Sequence, residues 1–207
     1  MKLYAILLAF LFNAHVLLAA EVTVTVSSKE RDIQTFDRGK VFDGQMQSRW
    51  SSEFADKQFL KIVLPKALPI KTVEVIWENS YAKHYKVKIS EDKKGWNLIH
   101  NNKNKESNSS DLIQIKKDKN TRYINLEFIK RATPYGFSIF EIKLNGKILK
   151  NFLKEHGIED YELISIVEGK DQNSNKETQK ETKPKSPSPK KESAPIKINK
   201  EDKLIYI

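Results

Sequence analysis

No cysteine occurs among the 207 residues. That excludes a disulfide scaffold, thiolate zinc or iron–sulfur sites, and cysteine catalysis. Histidine is nearly as scarce: His15, His84, His100 and His156 are the four present, scattered along the chain. A histidine metal site or a Ser-His-Asp triad is therefore poorly supplied, and Ser80 and Ser138 have no base partner in view. There is no Gly-rich phosphate loop and no His-x-x-x-His zinc pattern. Hydrophobic residues make up 39%, a low share that implies part of the chain stays outside any core. Acidic residues are the minority charge, 27 against 37 Lys and Arg, for a formal charge of +10.

The apolar deficit is located at one end. From Lys170 to Ile207 the chain is mostly Lys, Glu, Asn, Ser, Thr, Gln and Pro, centred on Lys183-Pro184-Lys185-Ser186-Pro187-Ser188-Pro189-Lys190-Lys191. Such a composition cannot bury enough apolar surface to offset its ordering entropy, so residues 170–207 are expected to be a disordered basic tail. Ten Lys stand against six acids there. Residues 151–169 read as a short ordered extension or spacer, with Tyr161–Val167 as a short strand or a helical turn.

The opposite end begins Met1-Lys2, runs apolar from Leu3 to Leu18 and closes with Ala19-Ala20. This reads as a signal peptide over 1–20. Interrupted at Asn13-Ala14-His15, the run falls short of the roughly 20 apolar residues that span a bilayer; a retained anchor is the alternative. Removing 1–20 takes only Lys2 from the charge count, +10 becoming +9. The mature chain is expected to be exported, to the periplasm, cell surface or extracellular space.

Between Glu21 and Gly146 the hydrophobic period is two. Val22, Val24 and Val26 alternate with Thr23, Thr25 and Ser27; Leu60, Ile62 and Leu64 repeat the pattern, as do Val73-Val75-Trp77 and Tyr85-Val87-Ile89. Further runs lie at Trp96–Ile99, Leu112–Ile115, Tyr123–Phe128 and Phe137–Leu144. About eight short strands in one domain over 21–150, with no long helical stripe, fit a two-sheet sandwich or a jelly roll. Trp50, Trp77, Tyr85 and Trp96 are expected in its core.

Several segments carry a family resemblance. Phe42-Asp43-Gly44 followed by Ser48-Arg49-Trp50-Ser51-Ser52, Trp77-Glu78-Asn79-Ser80-Tyr81-Ala82-Lys83-His84-Tyr85, Ser90–Trp96, and Lys130-Arg131-Ala132-Thr133-Pro134-Tyr135-Gly136-Phe137-Ser138-Ile139-Phe140-Glu141 occur in that order. Together they resemble the coagulation factor 5/8 type C (discoidin) domains and the overlapping family 32 carbohydrate-binding modules, over about residues 27–146. The resemblance implies an eight-stranded antiparallel jelly-roll sandwich of the galactose-binding-domain type. It also implies one structural Ca2+, held by Lys40, Asp43, Gln45, Ser48, Phe140 and Glu141. Gln45 and Ser48 depart from the family's commoner Asn/Asp and Thr, which carbonyl coordination tolerates. A calcium ion needs six to eight hard oxygens, many from backbone carbonyls. A carboxylate such as Glu141, between two apolar residues, would want a cation.

The functional expectation is a non-catalytic, lectin-like module. Loop carboxylates can bridge sugar hydroxyls or pair with a protonated amine, and aromatic faces cover sugar C–H patches. The candidate ligand residues are Glu30, Glu53, Glu78, Tyr81, Arg131 and Tyr135; Glu78 could instead pair internally with Arg49 or Arg131. The family resemblance implies a glycan partner, amino-sugar polysaccharides included, with Glu30, Glu53, Glu78 and Tyr135 on the ligand face, and the chain is expected to be a monomer. Glycosidase chemistry by Glu30, Glu53 and Glu78 would need two carboxyls about 5–10 Å apart, and the domain is small for a cleft, so no enzyme activity is expected. The alternative is electrostatic adhesion or scaffolding, in which the basic surface and tail bind anionic envelope components or a protein partner. No motif supports specific nucleic-acid binding.

Overall fold

The computed structural model describes residues 19–31 and 37–168. Most of the expected signal peptide and the expected tail lie outside the described residues. The elements are β1 (Ala20–Val26), a 3-10 turn (Arg38–Phe42), β2 (Trp50–Ser51), β3 (Gln58–Trp77), β4 (Ala82–Ser90), β5 (Asn97–Asn102), β6 (Asp111–Arg131), β7 (Ser138–Leu144), α1 (Leu149–Glu155) and β8 (Tyr161–Val167). They form the all-β jelly roll that the alternation and the resemblance lead one to expect, with eight strands.

The strands are divided differently from the sequence reading. Leu60–Leu64 and Val73–Trp77 are two halves of β3, and Leu112–Ile115 and Tyr123–Phe128 are two halves of β6. β3 and β6 pair antiparallel from Gln58↔Phe128 to Val75↔Asp111, with register shifts at Val63/Leu68 and Ile70/Thr72. A bulge bends a ladder without ending it. Pro65 falls within the first irregularity, where its missing N–H costs no ladder bond. The bent pair passes from one layer of the sandwich to the other. One layer is β8-β1-β3-β6-β4-β5, using Gln58–Val63 and Tyr123–Arg131. The second is β2-β7-β3-β6, using Thr72–Trp77 and Asp111–Gln114.

Period-two patterning does the packing. Val22, Val24, Val26, Leu60, Ile62, Leu64, Val73, Val75, Val87 and Leu126 are fully buried. Each such side chain contributes about 1.5–3 kcal/mol relative to exposure. A one-residue slip would exchange them for Thr23, Lys61 or Lys88, which fixes the register. Trp50, Phe128, Trp77 and Phe137 form an aromatic plug at one end, with ring centroids 5.5 Å (Trp50–Phe128), 5.9 Å (Trp77–Phe128) and 5.2 Å (Phe128–Phe137) apart. Trp96 corrects the expected core: it is 41% exposed. It ends the 91–96 turn before β5, which among the described strands has only β4 beside it, so Trp96 is only partly covered there.

Residues 151–167 belong to the folded unit. Leu149, Phe152 and Leu153 on α1 are fully buried, and β8 lies parallel to β1 from Ala20↔Tyr161 to Val26↔Val167. Among the described strands this is the one parallel pair, and it departs from the expected all-antiparallel arrangement. A parallel partner requires a crossover, which α1 helps supply. The chain consequently returns to the end of the sandwich where β1 finishes, and Glu168 N–H donates to the Val26 carbonyl at 2.9 Å.

Candidate functional site

Four connections gather over the aromatic plug: 27–31 after β1, 52–57 before β3, 78–81 between β3 and β4, and 132–137 before β7. Backbone bonds stitch them together. Glu30 N–H donates to Ser51 O (2.7 Å), Ser52 N–H to Phe137 O (2.9 Å), Glu78 N–H to Ser138 O (3.1 Å), Ser138 N–H to Ser80 O (2.8 Å) and Ala132 N–H to Tyr81 O (3.1 Å). Side chains add to the mesh: Ser28 Oγ accepts from Glu53 N–H (3.0 Å) and Ser52 Oγ from Phe137 N–H (2.8 Å). Gly136 is obligatory here. A Cβ on it would lie 2.2 Å from the Ser52 carbonyl oxygen and 2.8 Å from that of Glu53, far inside contact distance.

This mesh brings all six sequence-predicted ligand residues to one end. Tyr135 is 61% exposed and Glu53 is exposed, whereas Glu30, Glu78, Tyr81 and Arg131 are half-buried. Arg131 is occupied internally. Its Nε donates to Asp56 Oδ1 (3.1 Å) and its Nη1 to the carbonyls of Pro134 (2.7 Å) and Tyr135 (3.1 Å). Its own N–H also donates to Asp56 (3.0 Å). That backbone bond, with the guanidinium beside it, holds the Asp56 carboxyl below its ordinary range. Arg131 thus shapes the loop that carries Tyr135. Glu78 accepts from Ser80 N–H at 2.9 Å through one carboxylate oxygen, closing its turn.

Two residues join the set. Phe54, 47% exposed, meets Tyr135 edge-to-face, with centroids 5.6 Å apart and an interplanar angle of 81°. Its apolar side chain within the polar Ser52–Gln58 stretch was the one available signal. Asp56 had none, because its partner lies 75 residues away. An exposed aromatic pair beside carboxylates offers both an apolar platform and charged acceptors.

The expected metal residues meet in a second place. Glu141 is 1% exposed; its Oε2 accepts from Gly44 N–H at 2.8 Å, while its Oε1 is buried without a hydrogen-bond partner among the described residues. Burial pushes its carboxyl up to about 8, opposed by the Gly44 bond and aided by the nearby Asp43 charge. Asp43 caps its own turn, accepting from Gln45 N–H (2.9 Å) and Ser48 Oγ (2.5 Å), with Lys40 Nζ 3.6 Å from Oδ2. Gly44 turns the chain at φ +71°. Among the described residues no three His, Cys, Asp or Glu side chains cluster. A hard cation at this corner would therefore draw on carbonyls as well as the two carboxylates. An orphaned buried carboxylate oxygen fits that demand.

The family model for the F5/8 type C domain matches residues 23–142. Among solved structures, chitosan-binding module 1 of a chitosanase/glucanase from Paenibacillus sp. IK-5 is 28% identical, with a TM-score of 0.54, covering 59% of this chain and 93% of its own. Module 2 of the same enzyme, solved with chitotriose, is 25% identical at TM-score 0.53, covering 58% and 93%. A family 32 module of Clostridium perfringens NanJ, solved with galactose, shares the fold at 17% identity and TM-score 0.51, covering 59% and 92%. No curated protein matches the chain. The motifs at the loop end, the jelly roll and the family match agree: the chain belongs to the F5/8 type C domain family.

Proposed function

We propose that this protein is an exported, non-catalytic carbohydrate-binding module whose ligand face is the four-loop end of the jelly roll. The observation that carries the reading is the exposed Phe54–Tyr135 pair set among Glu30, Glu53 and Glu78 on a hydrogen-bonded mesh. Aromatic edges and faces suit sugar C–H patches, and the carboxylates suit hydroxyls or a protonated amine. The chitosan-binding modules to which the chain is similar support an amino-sugar ligand. A chitotriose titration followed by NMR tests the reading, with Tyr135→Ala as the variant. The expected result is loss of binding with an unchanged melting temperature, since Tyr135 is mostly exposed. Binding retained by the variant would overturn it.

The Glu141 corner is part of the same proposal as a structural calcium site. Asp43 and Glu141 would supply the charge, with the carbonyls of Lys40, Gln45 and Phe140 and the Ser48 oxygen completing the shell. The cation would neutralise a buried carboxylate and tie the 40–48 turn to β7.

One observation favours a second, electrostatic role. β8 carries the chain back to the loop end, where Glu168 N–H donates to the Val26 carbonyl, and in sequence the Lys-rich segment follows Glu168. Replacing Lys183, Lys185, Lys190 and Lys191 by Gln should leave chitotriose binding intact and weaken, in a salt-dependent way, binding to anionic envelope polymers. Equal binding by both proteins at low salt would remove this role.

A further inference from the structure

By composition the segment between β5 and β6, Lys103 to Ser110, is a polar surface loop. Lys105 within it is nevertheless only 5% exposed. Its Nζ donates to Asp111 Oδ1 (2.9 Å) and to the Ser109 carbonyl (2.7 Å), and its backbone N–H donates to the Lys83 carbonyl (2.9 Å). The other oxygen of Asp111 accepts from Trp77 Nε1 (2.8 Å) and Tyr85 OH (2.6 Å). Burial, followed by that bond to Asp111, raises the Tyr85 phenol far above its ordinary value, so it stays a donor.

The positions of those partners give the node its meaning. Trp77 ends β3 directly before Glu78, and Tyr85 lies in the first half of β4, the strand that follows Tyr81. One carboxylate therefore holds both stems of the 78–81 turn. The apex is held too, by Asn108 Nδ2 donating to Asn79 Oδ1 at 2.9 Å. Burying a lysine is costly, and apolar residues of similar volume commonly serve stability as well or better. What the ion pair adds is direction: three donors converge on a fixed point beneath the turn.

We infer that Lys105 and Asp111 are positioning residues, which set the Glu78–Tyr81 turn in its ligand-binding geometry and use the 103–110 loop as an outer brace. This rests on the carbohydrate reading of the loop end. Three variants of the full chain test it, with chitotriose as probe: Asn108→Ala, Lys105→Met, and Lys105→Met combined with Asp111→Asn. Asn108→Ala should weaken binding about threefold to tenfold, the worth of one polar tether, at an unchanged melting temperature. Lys105→Met should lower both affinity and melting temperature. The double variant removes both charges. It should recover most of the melting temperature but not the affinity, whereas a merely structural pair would recover both. Recovery of both, or parental affinity in Asn108→Ala and Lys105→Met, would overturn the inference. Amide exchange at Glu78 and Ser80, both donors within the turn, supplies a readout independent of ligand and should quicken in the double variant. If the parent itself fails to bind chitotriose, the carbohydrate reading is at fault; unchanged exchange would overturn the positioning role regardless.

Discussion

Asp111 and Glu141 both carry a carboxylate into the interior, and their surroundings differ in kind. Asp111 receives an ammonium, an indole N–H and a phenol O–H, all supplied by this chain. Glu141 receives one backbone N–H, and its second oxygen is buried with no donor among the described residues. A buried charge without partners costs several kcal/mol unless it is neutralised or met by a cation. The first corner is complete in itself, and it ties Trp77, Tyr85 and Lys105 to one point beneath the 78–81 turn. The second is complete only with something from outside, which is the physical content of the calcium proposal.

Breaking the self-sufficient corner should have the largest effect. Lys105→Met leaves the Asp111 charge with two neutral donors and should cost about 3–5 kcal/mol, read by urea denaturation. A loss below about 1 kcal/mol would show the pair to be solvated.

The dependent corner should answer to the medium instead. Calcium at a hundredfold excess over its dissociation constant should stabilise the protein by about 2.7 kcal/mol, and a chelator should reverse this in a melting experiment. Asp43→Ala and Glu141→Gln should both abolish the response. In chelator at pH 7, Glu141→Gln should melt close to the parent, because the isosteric amide replaces a carboxyl that burial already holds largely protonated. A parent that melts identically in calcium and in chelator would put the two corners in the same class.

The smallest effect belongs to the rim of the Asp111 node. The His100 ring packs on Tyr85 with centroids 4.7 Å apart, and burial holds its pKa below the ordinary value near 6.5. A group depressed in the folded state binds fewer protons there than in the unfolded chain. Its stability contribution is therefore full above pH 6.5 and is lost as the pH falls through the folded value. Melting temperature should drop between pH 7 and 5.5, and less so in His100→Gln. Parallel profiles for the two proteins would mean that His100 is hydrated in the native state.

Much of this architecture is local information. Alternation at Val22–Val26, Leu60–Leu64 and Tyr85–Ile89 declares which side chains face inward, because a strand's side chains point to opposite faces in turn. The ordered motifs from Phe42 to Glu141 contain Glu78, Tyr81, Arg131 and Tyr135, while Glu30 and Glu53 lie on connections outside them, and the segments carrying all six do converge. Sequence alone thus determined the inward faces and the fold class, and it named six residues that the fold brings to one end. Tertiary structure decided how those residues are used, since that depends on which distant surfaces meet. It joined four expected strands into two bent ones and left Trp96 only partly covered before β5. It paired Arg131 with Asp56 across 75 residues, brought Gly136 against Ser52, and buried Lys105 from within a polar run. Periodicity reports only whether a side chain faces in or out; the partner it finds there is set by chain segments far away in sequence, and partners decide whether a buried charge braces the fold or calls for a cation.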